Sequence, residues 1–140
     1  MSKIKTALIS LSNKKNLKPL LNILKKYKIK IISSGGTYKE ITKLNFKCQE
    51  VSEFTNFNEI LQGRVKTLHP KIHAGILNNR NKKSHLIDLR NNNFENIDLV
   101  IVNFYPFENI LKFHFEEVLI GIDVAVDAED APFGVVHNVL

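Results

Sequence analysis

The sequence predicts an α/β fold, a single domain built on a doubly wound parallel sheet. In the first third of the chain, apolar β-branched runs alternate with helical patterns, which is typical of strand–helix–strand units with right-handed crossovers. The strongest apolar run, Leu99–Val102, lies far along the chain and predicts a further buried strand. Polar loops bearing glycine or asparagine follow three predicted strands, at the carboxyl ends where open α/β sheets bind ligands.

The first strand and helix are predicted by two different periodicities. Thr6–Leu11 is short, apolar and partly β-branched, as expected of a buried strand. Ser12–Lys14 is a polar turn that could cap the helix after it. Leucines then recur at i, i+3, i+4 and i+7, which predicts one buried face of a helix ending near Tyr27. These leucines are Leu17, Leu20, Leu21 and Leu24.

A second strand and helix follow in the same order. Lys30–Ile32 predicts a strand, which enters the loop Ser33–Thr37, and Tyr38–Leu44 predicts a helix. The pattern is weaker beyond this point. Phe46–Val51 is a candidate strand, and Gly63–His73 resembles a long functional loop.

A further helix is predicted over Ser84–Asn91, with Leu86 and Leu89 on its buried face. The length of 140 residues suits one domain with a sizeable core. No apolar stretch approaches the roughly 20 residues that a membrane span needs, so we expect no membrane association. The single cysteine, Cys48, forms no internal disulfide and suits a cytoplasmic location; we expect a buried or half-buried apolar residue rather than a reactive one.

The net charge is distributed unevenly. Residues 1–112 contain all 20 Lys and Arg and 8 of the 14 acids, a net charge of +12, whereas residues 113–140 carry −6. A basic body attracts a small anionic ligand or a nucleic acid, but scattered lysines are also compatible with no ligand at all. Because no familiar RNA- or DNA-binding motif is present, we do not expect nucleic acid as a partner.

Ser34-Gly35-Gly36-Thr37 is the first candidate site, since it stands between a strand and a helix. Two glycines allow an anion to approach the backbone closely, and the free N–H groups of a helix N-terminus point at it. Ser34 and Thr37 add hydroxyl donors. The alternative is an ordinary tight turn, which Gly-Gly also forms.

The second candidate is the block Gly63–Pro70, which holds an arginine, a lysine, a threonine and a histidine. Arg64 and Lys66 could neutralise a phosphate or stabilise a developing oxyanion, or belong to a solvated basic loop. His69 and His73 have no cysteine or acid at a suitable spacing, so we expect no metal site.

Asn103 and Tyr105 form the third candidate, directly after the strand Leu99–Val102. An asparagine at such a position serves either as a turn residue or as a ligand contact, and the sequence leaves both open.

Taken together, these motifs resemble a known family. SLSNKKNL, ISSGGT, LQGRVKTLHPKIHAGIL and VNFYPFE look like consecutive blocks of the bifunctional AICAR transformylase/IMP cyclohydrolases, in that family's order, over residues 5 to about 118. The block RVKTLHPKIH is long and unusual, so the resemblance is specific.

This resemblance implies a methylglyoxal-synthase-like fold and a homodimer that uses no metal or organic cofactor. The substrate would be a purine nucleotide precursor, the formylated aminoimidazole carboxamide ribotide, which closes to IMP with loss of water. The implied catalytic residues are Lys66, Tyr105 and Asp123. The implied substrate-binding residues are Ser12, Lys14, Ser34, Gly35, Gly36, Thr37, Arg64, Thr67 and Asn103.

The resemblance decays after Glu117, so we predict an incomplete cyclohydrolase domain over residues 1–118 and a divergent or foreign tail over residues 119–140. Where the family has Ile-Asp-Ile-Gly-Gly, this chain has Ile122-Asp123-Val124-Ala125-Val126, and no lysine follows Lys112. Because the family's proposed proton-transfer lysine comes later, we expect ligand binding with impaired turnover. The alternative is a non-catalytic nucleotide- or phosphate-binding module of the same fold. A methylglyoxal synthase would need acidic residues beside the phosphate loop, and Ser33–Thr37 has none.

Overall fold

Four parallel strands in the order β3-β2-β1-β4 form the centre of the molecule. They are β1 (Thr6–Ser10), β2 (Lys30–Ser33), β3 (Gln49–Glu50) and β4 (Leu99–Val102). The computed structural model describes residues 3–63 and 65–103. Arg64, Tyr105, Asp123 and the predicted tail lie outside these residues. In the register, Leu8 pairs with Ile32 on one side and with Val100 on the other.

Five helices connect these strands in the described part of the chain. They are α1 (Leu17–Lys26), α2 (Gly35–Lys43), α3 (Val51–Thr55), α4 (Pro70–Leu77) and α5 (Lys83–Asn91). The chain moves outwards from β1 through β2 to β3 and then returns to the other side of β1 for β4. This reversal next to β1 is the switch point of a doubly wound sheet.

The two faces of the sheet carry separate apolar clusters, because successive side chains of a strand point to opposite faces. Ile9 of β1 packs with the leucines of α1 and with Ile41 of α2. Leu8, its neighbour, packs with Phe54 of α3 and Ile72 of α4 on the other face. Helices therefore cover both faces, and the predicted doubly wound parallel sheet is confirmed.

Several predicted elements have different bounds in the structure. Helix α2 begins at Gly35 rather than Tyr38, so the glycine pair forms its first turn. The predicted strand Phe46–Val51 is reduced to Gln49–Glu50, because Val51 already belongs to α3. The predicted loop Gly63–His73 ends early, since Pro70 starts α4.

Three predictions about side chains are wrong. Leu86 of α5 is 36% exposed, and Leu89 is the buried residue of that helix. Strand β4 is only partly buried, with Val102 exposed, because it is the edge of the described sheet. Asn16 occupies the N-cap position of α1, rather than Ser12–Lys14, and makes no side-chain capping bond.

A buried carboxylate ties the amino ends of the strands together. Asp98, just before β4, accepts hydrogen bonds from the main-chain N–H groups of Lys5 (2.7 Å) and Thr6 (2.8 Å). Its other oxygen lies 2.8 Å from the guanidinium of Arg80, and its side chain is only 7% exposed. This network fixes β1 beside β4 at the end of the sheet away from the candidate loops.

Candidate functional site

The loops that follow β1, β2 and β4 meet at the carboxyl edge of the sheet. Asn103, directly after β4, reaches the loop after β1: its side-chain oxygen accepts hydrogen bonds from the main-chain N–H groups of Ser12 (2.7 Å) and Asn13 (3.4 Å). Its amide nitrogen donates to the Asn13 carbonyl (2.7 Å). The predicted proximity of these strand ends is therefore present at the switch point.

Thr37 joins the loops after β1 and β2. Its hydroxyl accepts a hydrogen bond from the Leu11 N–H and donates one to the Leu11 carbonyl, both at 3.0 Å. The residue is 4% exposed. The hydroxyl that the sequence offered as a phosphate donor thus bonds to the protein's own backbone.

The glycine pair forms the N-terminus of α2. Gly35 has φ +54°, a left-handed conformation that costs a glycine nothing but strains other residues. Ser34 precedes it in extended conformation as the N-cap and makes no side-chain capping bond. Among the described residues, none accepts a hydrogen bond from the main-chain N–H of Gly35, Gly36 or Thr37. Free N–H groups at a helix N-terminus form a ready anion site.

Two lysine ammonium groups lie against this glycine pair. A Cβ placed on Gly35 would stand 2.9 Å from Lys66 Nζ, and one placed on Gly36 would stand 3.8 Å from Lys14 Nζ. Lys14 Nζ also donates to the Ser12 carbonyl at 3.2 Å. In the described part of the chain, neither lysine forms an ion pair with a carboxylate. Two ammonium groups and three N–H groups that have no acceptor among the described residues therefore lie at the N-terminus of α2.

A tight turn presents Lys66 to the glycines. Ile60 and Val65 pair as an antiparallel bridge around it, with Ile60 N–H donating to the Val65 carbonyl at 3.0 Å. Leu61, Gln62 and Gly63 all have positive φ. Lys66 and Thr67 follow directly and are partly buried. The structure does not describe Arg64, so its predicted contribution lies outside this geometry.

His69 has a role that the sequence analysis did not foresee. It is the N-cap of α4, and its Nδ1 accepts a hydrogen bond from the Lys71 N–H at 3.1 Å. The signal was present, since Pro70 stands at the first position of the helix, where proline is favoured. No group of three or more histidine, cysteine or acidic residues suited to a metal occurs within residues 3–63 and 65–103.

Cys48 lies away from these loops and is half-buried, as predicted. Burial, helped by the nearby charge of Glu50, raises the pKa of its thiol to about 12. The thiolate is the reactive form of cysteine, so this residue is unreactive near neutral pH.

The structure brings together most of the predicted substrate-binding residues. Lys14 lies against Gly36, and Thr37 and Asn103 both bond to the loop after β1. Lys66, which was predicted as a catalytic residue, lies against Gly35. Tyr105 and Asp123 lie outside the described residues. The part of the chain that the structure describes contains no helix long and apolar enough to cross a bilayer.

The class of protein follows from comparison with known families. Residues 16–127 match the MGS-like domain, and the chain belongs to that family. A solved structure, the crystal structure of ForH, matches with a TM-score of 0.66 and 27% identity, over 73% of this chain and 53% of that one.

Individual relatives are each named bifunctional purine biosynthesis protein PurH. The protein of Clostridium acetobutylicum is 47% identical over 123 residues, which cover 86% of this chain and 25% of the relative. That of Prochlorococcus marinus strain MIT 9301 is 46% identical over 84% of this chain and 23% of its own length. That of Leptospira biflexa is 42% identical over 89% and 25%. This chain thus spans about a quarter of the length of these relatives.

Proposed function

We propose that this chain is the nucleotide-binding part of an IMP cyclohydrolase of de novo purine biosynthesis. It would close the formylated aminoimidazole carboxamide ribotide to IMP with loss of water. The observation that carries the proposal is the position of two ammonium groups, those of Lys14 and Lys66, against the glycine pair of α2. Similarity to proteins named PurH over 84–89% of this chain supports a purine nucleotide as the ligand.

The 5′-phosphate of the nucleotide would occupy the space between the two lysines. The N–H groups of Gly35, Gly36 and Thr37 would donate to its oxygens, and the positive end of the α2 dipole would favour its charge. Charge-assisted hydrogen bonds are worth about 1.5–3 kcal/mol each. The ribose and the reacting groups would then extend towards the loop after β4, which carries Asn103.

The proposed reaction forms one bond and expels one water. The carboxamide nitrogen attacks the formyl carbon, and the formyl oxygen leaves as water with one proton from each of the two nitrogens. This step needs a fixed phosphate, an oriented formamide, stabilisation of charge on the formyl oxygen and proton transfer. We assign these last tasks to Lys66, Tyr105 and Asp123, and contacts with the substrate to Ser12, Ser34, Arg64 and Thr67.

Lys66 has two proposed roles that differ in their consequences. Its Nζ lies beside Gly35, which supports a phosphate contact. The family resemblance implies a place near the reacting formamide, and a lysine has four methylene groups with which to move its charge. A phosphate ligand changes the affinity for substrate, whereas a group that stabilises the developing oxyanion changes the rate.

Calorimetry of IMP binding to the full chain tests the proposal. We expect a single site whose affinity falls with added salt, because the ligand is anionic. Inosine, which lacks the phosphate, is the matched control and should bind far more weakly. Equal binding of IMP and inosine would contradict a phosphate-centred site.

Whether this chain catalyses ring closure or only binds the nucleotide is a separate question. Because Ala125 and Val126 stand where the resemblance implies a glycine pair, a non-catalytic nucleotide-binding module remains the second candidate. We propose that residues 1–118 form the cyclohydrolase-like domain, that residues 119–140 are a divergent tail, and that turnover is poor. Ring closure by this chain is compared with a chimaera that carries the corresponding tail of the Clostridium acetobutylicum relative. Equal rates would exclude the tail as the cause of impaired turnover.

We further propose that the protein acts as a homodimer in the cytoplasm. Four large apolar side chains on the segment around Lys66 support a second copy as the partner: they are Phe57, Ile60, Leu61 and Leu68, from 46% to 75% exposed. Sedimentation should show a dimer that Leu68→Glu weakens, whereas Leu77→Glu, at the end of α4, should leave it intact. The free Cys48 agrees with a reducing compartment.

A further inference from the structure

We propose that Thr37 and Asn103 are positioning residues, which hold the loop Leu11–Lys14 from two sides and so place Lys14 for the phosphate. Neither side chain would contact the ligand itself. This inference rests on the proposed function, because it concerns how the same phosphate site is built, and it changes the roles that sequence similarity gives these two residues.

The hydroxyl hydrogen of Thr37 already forms a hydrogen bond within the protein. It donates to the Leu11 carbonyl and accepts from the Leu11 N–H, at 3.0 Å in both directions. A threonine hydroxyl has only one hydrogen to donate. Donation to a phosphate oxygen would therefore break the bond to Leu11, at a residue that is 4% exposed. Thr37 thus contributes its main-chain N–H to the anion site and its side chain to the neighbouring loop.

The side chain of Asn103 is committed in the same way. Its oxygen accepts from Ser12 and Asn13, and its nitrogen donates to the Asn13 carbonyl. Both acceptor positions of the oxygen and one of the two amide hydrogens are used by this loop, which fixes the orientation of the amide and leaves a single N–H for any other partner. Asn103 follows β4, and Thr37 lies in α2, which follows β2, so the loop after β1 is held by the segments that follow both neighbouring strands.

Lys14 lies at the end of the segment held in this way. Its ammonium group is 3.2 Å from the Ser12 carbonyl, within the same loop, and stands next to Gly36. A lysine side chain is flexible, so its position depends on the backbone that carries it. Releasing the loop would leave the charge in place but lose its fixed distance from the glycine pair.

A double-mutant cycle with IMP as the probe separates positioning from direct contact. Thr37→Val removes the hydroxyl with little change in shape. We expect it to weaken IMP binding by about fivefold to tenfold, which corresponds to the loss of one well-placed contact. Thr37→Ser keeps the hydroxyl and should restore most of the affinity. In a Lys14→Ala background, Thr37→Val should have less than about a twofold effect, since residues that act through one another are not additive.

Additive effects of Thr37→Val and Lys14→Ala would overturn the proposal, because they would mean that each residue contacts the phosphate independently. Asn103→Leu provides a second route if Thr37→Val is poorly folded, with the same expected cycle against Lys14→Ala. Thermal unfolding of each variant shows whether lost affinity merely follows lost stability; a proportional loss in both would also count against positioning.

Amide hydrogen exchange keeps this inference distinct from the proposed function. In Asn103→Leu, the N–H groups of Ser12 and Asn13 should exchange faster by about tenfold or more, as expected when a local bond is lost. Failure of the wild-type protein to bind IMP would refute the proposed function. Unchanged exchange at these two amides would refute the positioning role of Asn103, whether or not IMP binds.

Discussion

The two ends of the parallel sheet differ in whether their charged side chains form ion pairs. At the amino end, Asp98 is buried and paired with Arg80, and Lys30 pairs with Glu95 at 3.0 Å. At the carboxyl end, Lys14 and Lys66 stand beside the glycine pair with no carboxylate partner among the described residues. The charges at one end are paired within the protein, and the other end is where we propose that an anionic ligand binds.

Under the proposed function, this difference separates the side chains that stabilise the sheet from those that bind the ligand. Both ends join β1 to β4 through side chains that bond to backbone, Asp98 at one end and Asn103 at the other. The negative charge of Asp98 neutralises the positive charge of Arg80, with which it is paired. Asn103 is neutral, so it fixes its loop without competing with an anion for the lysines.

Removing the carboxylate at the amino end should have the largest effect on stability. Asp98→Ala leaves the N–H groups of Lys5 and Thr6 without their acceptor and removes the carboxylate partner of the Arg80 guanidinium. Breaking a buried ion pair in this way costs about 3–5 kcal/mol. Urea unfolding followed by circular dichroism measures that loss. IMP affinity of the folded protein should not change, and a large change would contradict the separation of the two ends.

At the carboxyl end, Lys66→Ala should change the rate more than stability. If Lys66 stabilises charge on the formyl oxygen, its loss should reduce kcat by about 10²–10³. The measurement uses the chimaera with the tail of the Clostridium acetobutylicum relative, and Lys71→Ala in α4 is the control. A rise in KM with kcat unchanged would assign Lys66 to phosphate binding alone.

Lys14→Ala should weaken IMP binding by about tenfold or more, the loss expected for one charge-assisted contact. The matched control is Lys15→Ala, since the next residue carries the same charge but is exposed. Both variants lower the net charge equally, so calorimetry separates local contact from long-range attraction. Equal weakening in the two variants would mean that only the general basic field matters.

The smallest effect is expected at the surface pair of the amino end. Glu95→Ala removes the partner of Lys30, and both side chains are well exposed. Such pairs contribute about 0.2–1 kcal/mol. Urea unfolding should show a loss within that range, and it should shrink in high salt. A loss as large as that of Asp98→Ala would mean that exposure does not distinguish the two pairs.

Local patterns were enough to predict the strands and helices that bury regular apolar positions. The leucine spacing predicted α1, and the β-branched runs predicted β1, β2 and β4. The start of α2 was missed because glycine has poor helix propensity, and only the left-handed φ of Gly35 shows how the turn begins. Strand β3 was predicted too long because Val51 suits a strand or a helix equally, and packing decided for α3.

The candidate site was predicted as a set of residues but not as a geometry. Each polar loop could be found from its own residues, and the switch-point rule indicated that they meet. Which side chains bind one another depends on contacts across the whole sheet. Nothing local in the sequence distinguishes an Asn103 that contacts a ligand from one that holds the loop at Ser12 and Asn13.

The pairing of β1 with β4 also determines when the site can exist. Ser12 and Asn103 are 91 residues apart. Closing so long a segment costs entropy before its contacts form, which makes such pairings late steps in folding. The proposed anion site would therefore be complete only after the last described strand has joined the sheet. Nucleotide at 100 times its dissociation constant would then favour the finished sheet by about 2.7 kcal/mol over every partly assembled form. During synthesis, the chain would gain its ligand only once β4 has left the ribosome.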